Sequence, residues 1–306
     1  MGERVEPAAR ALPAEGRRRR RRRPVWPYVF ALPTVAAIGL VFGYPLVMVV
    51  RDSFYAGSAN FLVYVGTANY RNVVADPVFV TSLKNNLKLL ATVPVVTVLA
   101  LAIALFLNSR IRGWRAYRAI VFFPYILPAT AIGLAFSYLL QRNGTLNTLL
   151  RDVGLGGIAL DWLGSAHVVM FSIGGVIVWQ QLGFGVVVFT AALLSLPPEV
   201  SEAARIDGAR WWQLQRHVLI PQIRRTIEFF VVIEAITVLS WVFNYVYVLT
   251  QAGPGFASSV LEYYIWNNGF QNGSIGVAST VAVILLGMAS ILIAVFFRLR
   301  GRQVQA

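Results

Sequence analysis

Six stretches of this chain stay apolar for about 20 residues or more, the length that crosses a ~30 Å hydrocarbon core. They run Tyr28–Val50, Leu83–Leu107, Tyr117–Leu140, Val168–Leu194, Thr226–Leu249 and Val277–Phe297. Only 13% of the residues are charged, against roughly 25% in a soluble domain, and the mean hydropathy is +0.64. The apolar residues are clustered rather than scattered, so the expected fold is an all-α membrane protein of six transmembrane helices. Pro94 in the second run and Pro124 and Pro128 in the third predict kinks, because neighbouring helices can satisfy the carbonyls a proline frees. Gly174, Gly175, Gly183 and Gly185 in the fourth predict close helix contacts.

Charge sets the topology. Arg17 to Arg23 form an unbroken run ahead of the first span, which is too long for the h-region of a secretory signal (roughly 7–15 residues) and leads into Arg51-Asp52. It is read as a retained span, with residues 1–23 as a disordered cytoplasmic tail and residues 24–306 as the membrane domain. Arg110, Arg112, Arg115 and Arg118 follow span two, and Arg205, Arg210, Arg216, Arg224 and Arg225 follow span four. Arg298, Arg300 and Arg302 follow span six, whereas residues 250–276 carry no Lys or Arg. The positive-inside rule puts both termini in the cytoplasm. The net charge of +14 therefore reports topology, with the arginine run resting on anionic membrane lipid, and no nucleic-acid partner is expected.

The chain offers little covalent chemistry. Without cysteine it has no disulfide, no thiolate nucleophile and no thiolate-ligated metal. His167 and His217 are too few for a histidine metal cluster and read as solvated or packed. No G-x-x-x-x-G-K-[ST] phosphate loop, no G-x-S-x-G elbow and no H-E-x-x-H occurs, so no catalytic residue, metal or bound cofactor is expected.

One polar segment stands out, residues 195–225 between spans four and five. Leu196-Pro197-Pro198-Glu199 ends the span. Ser201 is the expected N-cap of a short helix, with Glu202 in its first turn and Gly208 as a kink or C-cap. A second piece, Trp211 to Val218, places Trp211, Leu214 and Val218 on one face, with Pro221 closing it. Two short amphipathic helices suit the headgroup region, and they suit docking to a soluble partner equally well.

Glu202, Ala203, Ala204, Gly208 and Pro221 fall in the register of the EAA loop of ATP-binding-cassette (ABC) importer permeases, E-A-A-x3-G-x9-I-x-L-P, with Val218 and Ile220 at its Ile and Leu positions. The chain resembles that family. Ile206-Asp207-Gly208-Ala209 is similar to its sugar-importer subgroup, the maltose and glycerol-phosphate type. Gly66, Asn69, Tyr70, Asp76, Pro77 and Phe79 resemble that subgroup's external loop, and Thr250 through Gly253-Pro254-Gly255 to Gly269-Phe270 and Gly276 its loop before the last span. The resemblance implies a type I ABC importer permease fold, with a core module of about residues 83–297, in a bacterial cytoplasmic (inner) membrane. It implies four kinds of partner: a second homologous permease subunit, an ATPase subunit dimer that binds the ATP and Mg, an extracytoplasmic solute-binding protein, and a carbohydrate-type substrate. Glu202 would make polar contacts in a cleft of the ATPase, Ala203 would pack close to it, and Gly208 would set the turn.

For the transport path, helical spacing puts Glu234, Thr237, Trp241, Asn244, Tyr245 and Val248 near one face of span five. Glu234 lies nine residues beyond Arg225, about 13 Å deep at a rise of about 1.5 Å per residue, where a charge should face protein or water. Such a stripe would suit a sugar; the alternative is an interfacial belt of aromatics. Trp179, Gln180 and Gln181 in span four are a second candidate set. Glu228 can reach Arg224 or Arg225. A rival mechanism is an ion-gradient-driven secondary transporter with Glu234 as its proton-coupling carboxylate, although no inverted repeat is visible.

Overall fold

The computed structural model describes residue 2 and residues 26–58, 61–108 and 114–303. Arg17 to Arg23, Arg110 and Arg112 lie outside the described residues. The chain divides into two compact units, residues 1–47 and 48–306. In the first, a helix begins at Trp26 and widens at Gly39–Gly43, and its large apolar side chains, among them Phe30, Leu40 and Phe42, are exposed. It continues as span one, Phe30–Asp52.

In the second unit three spans are long and apolar enough to cross without a sharp bend: span two, Pro77–Asn108, interrupted only by a turn at Leu90-Ala91; span four, Val169–Leu194; and span six, Ile275–Arg298. Spans three and five are bent pairs. Ala119–Ile126 and Ala129–Leu139 meet at 101°. Pro128 explains this corner, since it pushes Leu127 out of helical geometry and cannot donate a hydrogen bond itself. Arg224–Ser240 and Phe243–Leu249 meet at 46°, an elbow at Trp241-Val242 that no proline or glycine signals. Span two starts six residues before its expected start at Leu83, because Asp76 caps it by accepting from the Val78 N–H at 2.8 Å and Pro77 occupies the first turn.

Span four is the axis of this unit. A Cβ on Gly183 would lie 2.6 Å from the Val121 carbonyl oxygen, and one on Gly185 2.6 Å from Ala100 Cβ and 2.9 Å from Phe230 Cζ. These two glycines let spans two, three and five close on span four. One buried cluster (Val93, Ile173, Ile177, Val238, Val246) fills one half of the spans. A second (Ala100, Val186, Phe189, Phe230) continues into the loop after span four through Leu214, Leu219 and Ile223.

At the opposite end a short antiparallel hairpin, Tyr55–Ser58 with Phe61–Tyr64, adds the sheet that composition did not announce. Asn69 Nδ2 donates to the carbonyls of Ser53 and Tyr55 at 2.9 and 2.7 Å. Gly276 opens span six against the same backbone, since a Cβ there would overlap the Tyr55 oxygen at 1.8 Å. The segment before span six folds onto span two. Asn85 Nδ2 donates to the Ala257 and Ser259 carbonyls at 2.8 and 2.9 Å, and Ser82 Oγ donates to Ser259 Oγ at 2.7 Å. Tyr264 hydrogen-bonds Asp76 and packs edge-on against Phe79. The turn that starts this segment holds Gln251, Ala252 and Phe256 at positive φ and is tied by Thr250 Oγ1 to Ser258 Oγ (2.7 Å) and by Ser258 Oγ to the Gly253 carbonyl (2.6 Å).

Candidate functional site: a polar cavity and the loop after span four

The loop after span four folds as two short pieces. The first is the helix Pro198–Ile206. Ser201 is not its cap: Pro197 precedes the first turn, Glu199 rather than Glu202 lies in that turn, and Ser201 Oγ donates back to the Pro198 carbonyl at 2.9 Å. Pro198 sets the start four residues earlier than the Ser201 signal, because its fixed φ suits a first helical position. Gly208, at φ +80, ends the helix in a Schellman turn, with Gly208 N–H to Arg205 O at 3.1 Å and Ala209 N–H to Ala204 O at 2.9 Å. Glu202, Ala203, Asp207 and Gly208 are exposed, while Ala204 packs on the core cluster beneath.

The second piece begins at Trp211, where Gln213 Oε1 accepts from the Arg210 N–H at 2.7 Å. It does not stop before Pro221 but runs on through Ile220–Gln222, and Pro221 is accommodated because it sits in a first turn. Leu214, Gln215 and Leu219 are its buried face, and Trp211, expected among them, is exposed. Ile206 and Trp212 are 85% and 75% exposed, an apolar tip that the motif did not single out. His217 and His167 are both exposed. Glu228 pairs with Arg224 at 2.7 Å.

Above this loop a cavity of about 540 Å³ opens among spans three, four and five. Its polar floor is Gln180, Gln181, Glu234 and Thr237, and its aromatic wall includes Tyr125, Phe184, Trp241 and Tyr245. Glu234 is fully buried; its Oε2 accepts from Gln181 Nε2 at 3.3 Å and its Oε1 has no hydrogen-bond partner among the described residues. Gln180 spans the cavity: its Nε2 donates to the Leu127 carbonyl at 2.9 Å, one the Pro128 corner leaves free, and its Oε1 accepts from the Tyr245 hydroxyl. Tyr125 stacks on Phe184 with centroids 5.1 Å apart.

The two sets expected from helical spacing thus converge, but not whole. Asn244 and Val248 lie beyond the elbow, which changes the helix phase, and do not line the cavity; Val248 packs where Gly133 leaves room. Trp179 turns away and meets Phe136 edge-on at 5.2 Å. Tyr125 and Phe184 were missed. The only hint of Tyr125 in the sequence is Pro124, which marks the bent part of span three. The floor offers amide, carboxylate and hydroxyl groups and the wall offers aromatic rings, a combination suited to a hydroxyl-rich ligand.

Residues 89–303 match the family described as binding-protein-dependent transport system inner membrane component. A probable ABC transporter permease protein, PH1215 of Pyrococcus horikoshii, is 31% identical over 280 residues, covering 89% of this chain and 95% of the relative. The lactose transport system permease protein LacF of Rhizobium radiobacter is 28% identical over 270 residues, 87% and 90% of the two chains. The fold matches a chain of the bacterial alginate ABC transporter solved in complex with an alginate pentasaccharide-bound periplasmic protein, with a TM-score of 0.76 at 23% identity over 89% of this chain and 93% of that one. The chain belongs to the inner-membrane components of binding-protein-dependent transport systems, the permease subunits of ABC importers.

Proposed function

We propose that this permease lines half of the path for a carbohydrate and is driven by a cytoplasmic ATPase dimer docked on residues 195–225. One observation carries the reading: the docking loop joins the two spans, four and five, that supply the cavity floor. Displacing the loop therefore displaces Gln180, Gln181, Glu234 and Thr237 without an intermediate element. Glu202, Ala203, Asp207 and Gly208, with Ile206 and Trp212 beside them, form the face offered to the ATPase; Pro221 begins the return to span five. Rigid-body motion of packed helices is a recognised route for alternating access.

The relatives named for lactose and alginate handle carbohydrates, and the glutamine, carboxylate and aromatic lining suits one. A polyol or sugar phosphate fits the same floor less well, since it would face Glu234. The remaining partners are a second homologous permease and an extracytoplasmic binding protein, with ATP and Mg on the ATPase and both termini of this chain in the cytoplasm. Family membership argues against the ion-gradient alternative through Glu234.

The test is sugar uptake and ATP hydrolysis by the reconstituted complex carrying Gly208→Val. A β-branched residue at φ +80 costs roughly 1–2 kcal/mol locally and remodels the exposed turn without touching the core. Uptake should fall at least about tenfold while membrane insertion stays normal. Normal uptake would remove the loop from the mechanism.

A further inference from the structure

One carboxylate stands where three elements meet. Glu262 lies in the helix Leu261–Trp266, in the segment between spans five and six. Its Oε2 accepts from Asn86 Nδ2 of span two at 3.2 Å, and Asn86 Oδ1 accepts from the Leu261 N–H at 2.8 Å. One side chain of span two thus holds both the backbone and the acid of this helix. Val242 sits at the elbow of span five, immediately before Phe243–Leu249. Just past the elbow Phe243 packs on the rings of Tyr263 and Trp266, centroids 6.4 and 5.9 Å apart, so the helix that Asn86 holds bears directly on the restart of span five.

The elbow matters because Trp241, Val242 and Tyr245 line the cavity. We propose that Glu262 is a positioning residue: through Asn86 it fixes the helix that packs on the elbow of span five, and so it sets the position of the cavity wall. The inference rests on the reading of this cavity as the transport path. It does not depend on which sugar passes.

Protonation gives it a signature. Burial outweighs the donors around Glu262 and pushes its carboxyl up to about 7. Its Oε1 is buried without a hydrogen-bond partner among the described residues. No neighbouring charge compensates. Lys84 and Lys88 of span two are exposed, span six carries no acid or base from Ile275 to Phe297, and Asp76 is engaged by Tyr264. On its own helix stand Tyr263 and Tyr264, and on span five the titratable groups Glu234 and Tyr245 face the cavity. A folded-state value above the ordinary one means that the fold holds the neutral acid better. Its support is complete below the ordinary carboxylate range and is lost as pH rises through about 7.

The chain has no cysteine, so Phe229→Cys and Tyr247→Cys, exposed on either side of the elbow, can carry spin labels in the assembled transporter in lipid. Their distance distribution should shift between about pH 6 and about pH 8. Glu262→Gln, a neutral isostere, should show the low-pH distribution at both, and Glu262→Ala a broadened one. One unchanging distribution in the parent and both variants would overturn the proposal. Should both variants fail to assemble, the parent decides alone, and no shift with pH overturns it. Uptake by Glu234→Ala separates the two readings: a moving elbow with normal uptake in that variant would remove the cavity from the path and leave the fastening in place.

Discussion

Glu234 has one carboxylate oxygen turned to Gln181 and the other without a hydrogen-bond partner among the described residues, in the lining of the cavity. An unsatisfied buried acceptor costs about 1–3 kcal/mol, more when charged, and a protein keeps one where a ligand or water completes it. A hydroxyl donated by the passing sugar would do so. Glu234→Ala should therefore raise KM for uptake about tenfold or more with little change in the amount of assembled protein; unchanged kinetics would show that the carboxylate faces no substrate. At this scale the sequence was informative where chemistry is rare. A lone acid deep in a span and paired glutamines in mid-helix are conspicuous among apolar neighbours, so Glu234, Gln180 and Gln181 could be found. Tyr125 and Phe184 could not, because an aromatic in a membrane helix looks alike whether it faces lipid, core or cavity.

Among the elements, the spans were legible because twenty apolar residues have few alternatives in lipid, and the corner of span three because proline enforces it. The elbow of span five was hidden. Trp241 and Val242 carry no breaker, and the chain beyond the bend packs on rings some twenty positions later, Phe243 on Tyr263 and Trp266; helical spacing drawn straight through the bend misplaced Asn244. Glycine carried two meanings that sequence does not separate. Gly183 and Gly185 are contact points, whereas Gly175 borders open space. Gly183→Val should force apart spans three and four, at a cost typical of overpacking, about 1–3 kcal/mol, and lower the thermal midpoint of the purified protein by several degrees; Gly175→Val should leave it nearly unchanged. Equal midpoints would mean that the Val121 contact is not what holds these spans together.

For the whole molecule, family membership sets the frame, and the partners follow by proposal. Gentle detergent extraction should bring down an ATPase with a phosphate-binding loop and a second six-span permease. Recovery of this chain alone, with uptake insensitive to ATP depletion, would dismantle the proposed assembly. The turn from Thr250 to Ser259 adds a consequence for how such an assembly forms. Three non-glycine residues at positive φ, each costing roughly 1–2 kcal/mol, are held in place by Ser258 and by span two. That outlay is met during folding, before any encounter. A segment whose shape is settled in advance has little freedom left to lose, so whatever later packs on it meets a lower entropic cost than it would on a mobile loop.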